Sequence, residues 1–423
     1  MTENARLYEK ISSAIDREYA VELLQGAVAR ASVTGNEVNF VDYLHECMTA
    51  LKLSPNTADF LPGRPNIWGK RQGSSNGPNL LFVGHTDTVH VRGWEERWAG
   101  TERENPFGGT VVDGEMWGRG TGDLKAGICA SLAAVDLLDK ANINLKGDLS
   151  FAFIGDEESG EPETGVSAGI KDYTARTLAG EIEKPDFAIY VEPTRLAVYP
   201  AQMGFFIAEI KITGKSAYFG VPEQGIDALK ASHKALSAIW NHSEEISQRA
   251  SHPLVGRAFA LVTEIASGGY IAVPGDCFLS LIRKLLPGEN LDEAVKELEA
   301  SVLEGLKGEN VQTEFTYPAG RDHQYGGSPT EIDADLPEVS ALAKALRDAS
   351  PGHGPKRGQI EGAPYWSEAP FLINQIGCPA VYCAPGDITN CHTLEERVNV
   401  DEYVAGIIAF ACFIASYCGT TNA

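Results

Sequence analysis

Residues 79–88 have the sequence NLLFVGHTDT, an apolar run that is followed at once by a histidine and an aspartate. The run 79–84 predicts a buried strand, and residues 124–139 have the apolar spacing of a helix. Residues 148–155 and 186–191 predict two further strands. Strands that alternate with helices form a mixed, mostly parallel sheet with helices on both faces, so we predict an α/β fold.

A different pattern begins near Ala201. It predicts four strands and two helices in the order β-α-β-β-α-β, which is typical of a small ferredoxin-like domain. The predicted strands cover residues 205–213, 257–265, 278–283 and 311–317, and the predicted helices cover 226–247 and 291–306.

After Pro318 the chain returns to α/β character, with a predicted strand at 377–384 and a helix at 398–417. The small domain is therefore inserted into the large one. We predict a catalytic domain made of residues 1–200 and 319–423, and an inserted domain made of residues 201–318.

The composition argues against several classes of function. The 423 residues carry a formal net charge of −23, which opposes binding to nucleic acids and to anionic membranes. The longest apolar run, 405–417, is too short to span a membrane and predicts a buried C-terminal helix. The eight cysteines are scattered without a CxxC pair, so we expect a protein of the reducing cytoplasm. From the net charge and the short apolar run we expect no nucleic-acid and no membrane partner.

Polar residues that can bind a metal follow the predicted strands. Taken singly, a histidine after a strand is usually a hydrogen-bonded loop residue, and a run of acids is usually the solvated start of a helix. However, five such segments lie where open α/β sheets place their ligands, and they offer the imidazoles and carboxylates that bind zinc, manganese or cobalt. The segments are 84–88 (GHTDT), 118–123 (GRGTGD), 155–158 (GDEE), 191–194 (VEPT) and 391–396 (CHTLEE).

These segments resemble the co-catalytic metallopeptidase and amidohydrolase family that includes aminoacylases, succinyl-diaminopimelate desuccinylases and glutamate-releasing carboxypeptidases. The resemblance rests on the His-x-Asp motif at 85–87, the Gly-Arg-Gly-x-x-Asp-x-Lys-x-Gly motif at 118–127 and the Glu-Glu pair at 157–158, and it covers nearly the whole chain. It implies a hydrolase that uses one or two divalent ions (Zn, Mn or Co) to cleave a C–N bond in a small, carboxylate-bearing substrate.

The resemblance also implies that the inserted domain is a lid and dimerisation domain. We therefore predict a homodimer or a larger homo-oligomer. We expect the strand at 205–213 to be an exposed edge that pairs with the partner's lid.

The resemblance implies a role for each matching residue. The implied metal ligands are His85, Asp123, Glu158, Glu192 and His392. Asp123 would bridge the two ions, Asp87 would orient the other ring nitrogen of His85, and Glu157 would be the general base. Arg283 matches a lid arginine that binds the substrate carboxylate, a task that suits a planar guanidinium.

Three positions depart from the family pattern. Tyr218 stands where the family has a histidine that stabilises the oxyanion of amide cleavage, and Ala272 stands in place of an asparagine. The segment 362–366 (GAPYW) differs from the family's Gly-x-x-Asp. Loss of one oxyanion donor typically costs on the order of 10²–10³ in rate. Either a tyrosine hydroxyl replaces the histidine, or the negative charge of the transition state develops away from a carbonyl oxygen.

Aromatic side chains at these positions would suit a flat ring, so we predict that Tyr218, Phe219 and Trp366 bind substrate. In these departures the chain also resembles the aromatic aminohydrolases of the same superfamily. That resemblance implies the function that we favour, in aromatic compound degradation: the amine of an aromatic amino acid such as 5-nitroanthranilate is replaced by hydroxyl, and ammonia is released. Two alternatives stay open. One is an amide-cleaving aminoacylase, deacylase, dipeptidase or carboxypeptidase, and the other is a non-catalytic binding protein.

Overall fold

The computed structural model describes residues 3–159, 161, 164–349 and 356–421. The chain forms two compact units. Unit 1 comprises Met1–Pro200, Ile332–Gly362 and Phe371–Ala423, and unit 2 comprises Ala201–Glu331 and Ala363–Pro370.

The elements follow in chain order. The first 202 residues form α1 (Glu3–Ser13), α2 (Arg17–Val28), α3 (Val38–Ala50), β1 (Asn56–Leu61), β2 (Arg64–Arg71), β3 (Asn79–His85), α4 (Trp94–Trp98), β4 (Thr110–Val112), β5 (Glu115–Trp117), an irregular turn (Thr121–Lys125), α5 (Ala126–Lys140), β6 (Asp148–Ile154), α6 (Ala168–Leu178), β7 (Phe187–Tyr190) and β8 (Val198–Gln202).

The next segment, residues 204–331, forms β9 (Gly204–Thr213), a short turn (Pro222–Gln224), α7 (Ala228–Arg249), β10 (Ser251–His252), β11 (Gly256–Arg257), β12 (Phe259–Ser267), β13 (Asp276–Leu285), α8 (Leu291–Gly305), β14 (Gln312–Thr316), β15 (Gly326–Gly327) and β16 (Thr330–Glu331). The remainder forms α9 (Pro337–Ala349), β17 (Ile360–Ala363), a second irregular turn (Phe371–Ile376), β18 (Ala380–Tyr382), β19 (Arg397–Asn399) and α10 (Val400–Tyr417).

The main sheet of unit 1 has the strand order β1-β2-β6-β3-β7-β18-β8, with β17 beside β8. Its four central strands β6, β3, β7 and β18 are parallel, and Val83 of β3 lies opposite Ala152 on one side and Tyr190 on the other. Every residue of β3 is buried, as expected for a strand covered on both faces. The predicted α/β class is confirmed, and the carboxyl ends of the four strands meet at one edge of the sheet.

Helix α10 forms much of the core of unit 1. The ring centroid of Phe410 lies 5.2 Å from that of Phe82 on β3, and the ring centroid of Phe413 lies 6.3 Å from that of Phe187 on β7. The helix is long and apolar enough to span a membrane by composition, but 83% of its residues are buried within the structure. It is therefore the buried C-terminal helix that the apolar run 405–417 predicts.

Unit 2 contains an antiparallel sheet with the order β12-β13-β9-β14, and β15 pairs with β9. Burial alternates along β9 and β13, so that one face carries buried residues such as Phe206, Ile210 and Leu281. Helices α7 and α8 cover that face with residues such as Ile239 and Leu298. This arrangement is the predicted ferredoxin-like β-α-β-β-α-β fold.

The structure corrects one expectation about unit 2 and differs from its predicted bounds in two places, one of which is that Ala363–Pro370, expected in the large domain, belongs to unit 2. Strand β9, which contains 205–213, is not an edge strand because it lies between β13 and β14. At the end of the strand order stands β12, where Phe259 and Leu261 are 41% and 55% exposed. Unit 2 also extends beyond residue 318 to Glu331, since β15 continues the sheet beside β9.

We expect Phe410→Ala to destabilise the protein by about 3–5 kcal/mol, because it removes a fully buried ring and leaves a cavity. The matched control is Ser416→Ala on the exposed side of the same helix, which should change the free energy of unfolding by less than about 0.5 kcal/mol. Chemical denaturation measures both values. Equal losses for the two variants would contradict the core position of α10.

Candidate metal centre

The candidate site is built from residues at the carboxyl ends of the four parallel strands of unit 1. Strand β3 ends at His85, the pair 157–158 follows β6, Glu192 follows β7, and His392 lies in the loop after β18. The fifth predicted ligand, Asp123, belongs to the irregular turn before α5. The fold therefore gathers residues that are far apart in the sequence at one edge of the sheet.

Asp123 lies between two imidazoles. Its Oδ1 is 3.0 Å from His85 Nε2, and its Oδ2 is 3.1 Å from His392 Nε2. Glu192 Oε1 lies 3.8 Å from His85 Nε2, and Glu158 Oε1 lies 2.9 Å from His392 Nε2. These side chains form two groups of three potential ligands that share Asp123, and within each group the ligand atoms lie within 4.8 Å of one another.

Glu157, the predicted general base, lies beside these groups. Its carboxylate forms a further group with His85 and Glu158, in which the potential ligand atoms again lie within 4.8 Å of one another. Glu157 is half-buried, whereas His85 and Glu158 are buried. A carboxylate that is close to the ligands and still reachable from solvent is in a position to exchange protons with water and substrate.

Asp87 contacts His85 in a way that differs from the expectation. His85 Nδ1 donates to the backbone carbonyl of Asp87 at 2.9 Å, and the carboxylate is 3.8 Å away. The carboxylate instead accepts from the backbone N–H of Glu158 at 2.9 Å, that of Glu157 at 3.3 Å and the hydroxyl of Thr34 at 3.1 Å. Asp87 thus holds the imidazole with its main chain and the Glu157–Glu158 loop with its side chain.

The acids and imidazoles of the site shift each other's pKa values. Burial opposes protonation of His392, but hydrogen bonds and charge contacts with Asp123 and Glu158 outweigh burial and raise its pKa to about 11. Burial likewise opposes protonation of His85, and Asp123 and Glu192 nevertheless raise its pKa well above the usual value. Metal ligation requires neutral imidazoles, so a divalent cation bound here would compete with protons for both rings.

The chemistry of these side chains fits divalent metal ions. Imidazole nitrogens and carboxylate oxygens are the ligands that zinc, manganese and cobalt accept in proteins. The carboxylates of Asp123, Glu158 and Glu192 belong to residues no more than 6% exposed, and buried carboxylates so close together need positive charge to remain ionised. Asp123, which directs one oxygen toward each imidazole, is suited to bridge two ions.

Arg283 does not lie on an open surface of unit 2. It projects from β13 on the helix-covered face that also carries Leu281 and Leu285, and it is fully buried. One guanidinium nitrogen donates to Glu289 Oε1 at 2.7 Å, and another donates to the backbone carbonyl of Lys284. The guanidinium is thus engaged in an internal ion pair, and its role in substrate binding stays a prediction.

The aromatic residues that we expected to bind substrate all lie in unit 2. Tyr218 and Phe219 are 61% and 58% exposed, and their ring centroids are 4.6 Å apart. Trp366 packs instead on Phe205 with a centroid distance of 5.6 Å, and its indole N–H donates to the Ser328 carbonyl at 3.1 Å. Trp366 is thus half-buried and packed within unit 2, Tyr218 and Phe219 have more exposed surface, and the substrate-binding role of all three stays a prediction.

Two residues of the site, Arg119 and Glu396, received no role from the sequence. They form a buried ion pair, and Glu396 also accepts a hydrogen bond from the backbone N–H of Asp123 at 3.0 Å. A signal was available in the glycine-rich segment 118–123, because successive backbone N–H groups in such a loop often surround an anion. The sequence does not reveal which of the many carboxylates is that anion.

The amino-acid sequence is similar to those of known enzymes. Residues 81–416 match the sequence pattern of peptidase family M20/M25/M40. The chain is 28% identical over 338 residues to an acetylornithine deacetylase of Proteus mirabilis (strain HI4320), which covers 78% of this chain and 76% of that protein. It is 30% identical over 239 residues to a succinyl-diaminopimelate desuccinylase of Dechloromonas aromatica (strain RCB), which covers 54% of this chain and 59% of that protein.

The fold is similar to those of solved structures. A tripeptidase of Staphylococcus aureus superposes with a TM-score of 0.76 at 19% identity, covering 96% of this chain and 99% of that one. A dinuclear metal-binding peptidase of Bacillus subtilis superposes with a TM-score of 0.65 at 15% identity, covering 95% of this chain and 98% of that one. At these identities the two structures support the fold alone.

We expect Asp123→Asn to weaken the binding of both ions, because the variant removes the negative charge that the two ligand groups share. Glu192→Gln is the matched comparison, since Glu192 belongs to only one of those two groups. Metal content per chain is measured after equilibrium dialysis against zinc. Loss of only one ion in Asp123→Asn, or of both in Glu192→Gln, would contradict the sharing of Asp123.

Proposed function

This chain belongs to peptidase family M20/M25/M40 and is a metal-dependent hydrolase of C–N bonds. We propose that it cleaves the amide bond of a small, carboxylate-bearing substrate. The single observation that carries the proposal is the pair of ligand groups that share Asp123, with Glu157 beside them. Such a site suits the addition of water to an acyl carbon.

The names of the relatives favour amide cleavage over the aromatic deamination that we favoured from the sequence. A deacetylase and a desuccinylase each remove an acyl group from a substrate, and both are similar to this chain over half of its length or more. A complete set of potential ligands with an adjacent carboxylate also disfavours a non-catalytic binding protein. We therefore propose a deacylase, aminoacylase or peptidase.

The side chains would act as follows. His85, Asp123, Glu158, Glu192 and His392 would hold two divalent ions, which we propose to be zinc, manganese or cobalt. Ions held there supply Lewis acidity, which lowers the pKa of water and polarises the scissile carbonyl. Glu157 takes a proton from the attacking water as the water oxygen bonds to the carbonyl carbon. Glu157 then gives that proton to the amide nitrogen as the C–N bond breaks. The products are a carboxylic acid and a free amine.

We also propose that Tyr218 and Phe219 contact the substrate. They are aromatic residues of unit 2 with large exposed surfaces and without the packing contacts that occupy Trp366. The phenol of Tyr218 offers a hydrogen-bond donor where the sequence lacks the family's histidine. The eight cysteines are all free, which fits the reducing cytoplasm that we propose as the location.

A substrate panel tests the proposed reaction. Metal-loaded protein is incubated with N-acetyl and N-succinyl amino acids, dipeptides and aminobenzoates, and amine release is measured separately from ammonia release. We expect amine release from an acylated amino acid or a dipeptide, and its loss on chelation of the metal. Ammonia from an aminobenzoate, without amine release from any acylated substrate, would favour the aromatic deaminase instead.

Glu157→Gln should lower kcat by about 10²–10⁴-fold while metal content stays the same, because the variant removes the base but keeps the shape of the side chain. Glu161→Gln is the matched control on the same loop, since the Glu161 carboxylate pairs with Arg92. Its kcat should equal that of the wild type. A Glu157→Gln protein with most of its kcat intact would assign the proton transfer to another group.

We further propose a homodimer or larger assembly formed through β12 of unit 2, in place of the interior strand β9. Strand β12 ends the sheet, and Leu261 and Phe259 on β12 and Trp240 on the adjacent α7 are exposed. An exposed apolar edge strand favours pairing with another chain. Leu261→Lys should lower the mass measured by light scattering to that of a monomer, and Leu178→Lys on α6 is the matched exposed control. An unchanged assembly in Leu261→Lys would contradict this interface.

A further inference from the structure

Glu396 is a buried carboxylate that no step of the proposed reaction uses. It lies four residues after His392 in the loop that precedes β19, and it is inaccessible to solvent. A carboxylate in such a place is costly unless hydrogen bonds and positive charge compensate its loss of water. Its partners therefore reveal what it does in the fold.

The loop that carries Asp123 wraps around this carboxylate. Glu396 Oε1 accepts from the backbone N–H of Gly120 at 3.0 Å, Gly122 at 3.1 Å and Asp123 at 3.0 Å. Gly120 has φ +83°, a left-handed conformation that favours glycine. Successive N–H groups directed at one oxygen form an anion-binding nest.

Arg119 closes the other side of the carboxylate. Its guanidinium pairs with Glu396 Oε2, and it donates to the backbone carbonyls of Thr393 at 3.0 Å and His90 at 3.2 Å. Thr393 directly follows His392, so the same guanidinium also holds the main chain beside that imidazole. Both partners of this ion pair are buried, and the charge-assisted hydrogen bonds between a guanidinium and a carboxylate fix their relative orientation.

The backbone extends this connection. Strand β5 pairs with β19, with Trp117 opposite Arg397, and the N–H of Gly118 donates to the carbonyl of Glu396 at 3.2 Å. The Asp123 loop leaves β5 at the point where the His392 loop enters β19. The ladder sets the two loops side by side, and Glu396 fixes the part of the Asp123 loop that extends beyond the ladder.

We propose that Glu396, held by Arg119, is a positioning residue. It fixes the position of Asp123 relative to His392, so that Asp123 can belong to both of the ligand groups that share it. The inference rests on the proposed metal site. Asp123 can belong to both ligand groups only while one of its oxygens faces His85 and the other faces His392. The backbone N–H of Asp123 is held by Glu396, which lies in the same loop as His392. Partners that orient metal ligands typically contribute 10–100-fold to metal affinity, roughly.

The variant that tests this is Glu396→Gln, which keeps the size of the side chain but places an NH₂ group against either Arg119 or the three backbone N–H groups. The matched control is Asp148→Asn at the amino end of β6. Asp148 also accepts a backbone N–H, from Gly73 at 2.7 Å, and pairs with a cation, Lys70, at 2.5 Å. The control thus perturbs another carboxylate that accepts a backbone N–H and pairs with a cation, at the end of β6 opposite the one that leads to Glu157 and Glu158.

Zn²⁺ binding to the metal-free proteins is measured by calorimetry, and the visible spectrum of the Co²⁺-loaded proteins reports ligand geometry. Circular dichroism and thermal unfolding of the metal-free proteins report folding. We expect Glu396→Gln to fold, to bind Zn²⁺ about 10–100-fold more weakly than the wild type, and to show an altered Co²⁺ spectrum. Asp148→Asn should lower Tm and leave Zn²⁺ affinity and the Co²⁺ spectrum unchanged.

Wild-type Zn²⁺ affinity and Co²⁺ spectrum in Glu396→Gln would overturn the inference and leave the proposed function intact. A wild-type protein that takes up no Zn²⁺ would instead overturn the proposed function and the inference with it. If Glu396→Gln does not fold, Arg119→Lys serves as the test. Lysine keeps the positive charge but lacks the planar guanidinium that contacts Glu396 and the Thr393 carbonyl together. Unchanged Zn²⁺ affinity in that variant would likewise overturn the inference.

Discussion

The burial of several carboxylates around two imidazoles is the constraint on which the rest of unit 1 depends. Asp123, Glu158 and Glu192 are almost inaccessible to solvent, and an ionised carboxylate without a partner is among the costliest groups to bury. The neighbouring carboxylates raise the pKa values of His85 and His392, which favours positive charge on the two imidazoles beside them. Divalent ions bound there would balance the negative charge more fully, which links the stability of this edge of the sheet to its affinity for metal.

The fold meets this requirement in two ways. The four parallel strands bring His85, Glu158, Glu192 and His392 to one edge without any special sequence in the strands themselves. Finer placement comes from groups that bind backbone N–H: Asp87 holds the loop after β6, and Glu396 holds the loop that carries Asp123. Negative side chains therefore act twice in this site, as potential metal ligands and as anchors for the loops that present those ligands.

The sequence predicts the α/β class, the inserted ferredoxin-like unit and the residues that gather at the sheet edge. These features follow from the order of strands and helices along the chain and from which residues come directly after a strand. It does not predict features that depend on which elements become neighbours. Arg283 lies on the face of β13 that the helices cover, and alternation along a strand does not say which face that will be. Strand 205–213 was expected at an edge, although the first strand of a β-α-β-β-α-β unit lies inside the sheet. Glu396 acts through a loop more than 270 residues away in the sequence.

We propose that one carboxylate, that of Asp123, would join two ions into a single catalytic unit. Titration of the metal-free protein with Mn²⁺, followed by electron paramagnetic resonance, tests it most directly, because two Mn²⁺ ions bridged by a carboxylate are magnetically coupled. We expect a spin-coupled signal to develop as the second equivalent binds, and we expect Asp123→Asn to abolish the coupling. If the wild-type protein showed only uncoupled Mn²⁺ signals at every stoichiometry, Asp123 would not be shared between two ions.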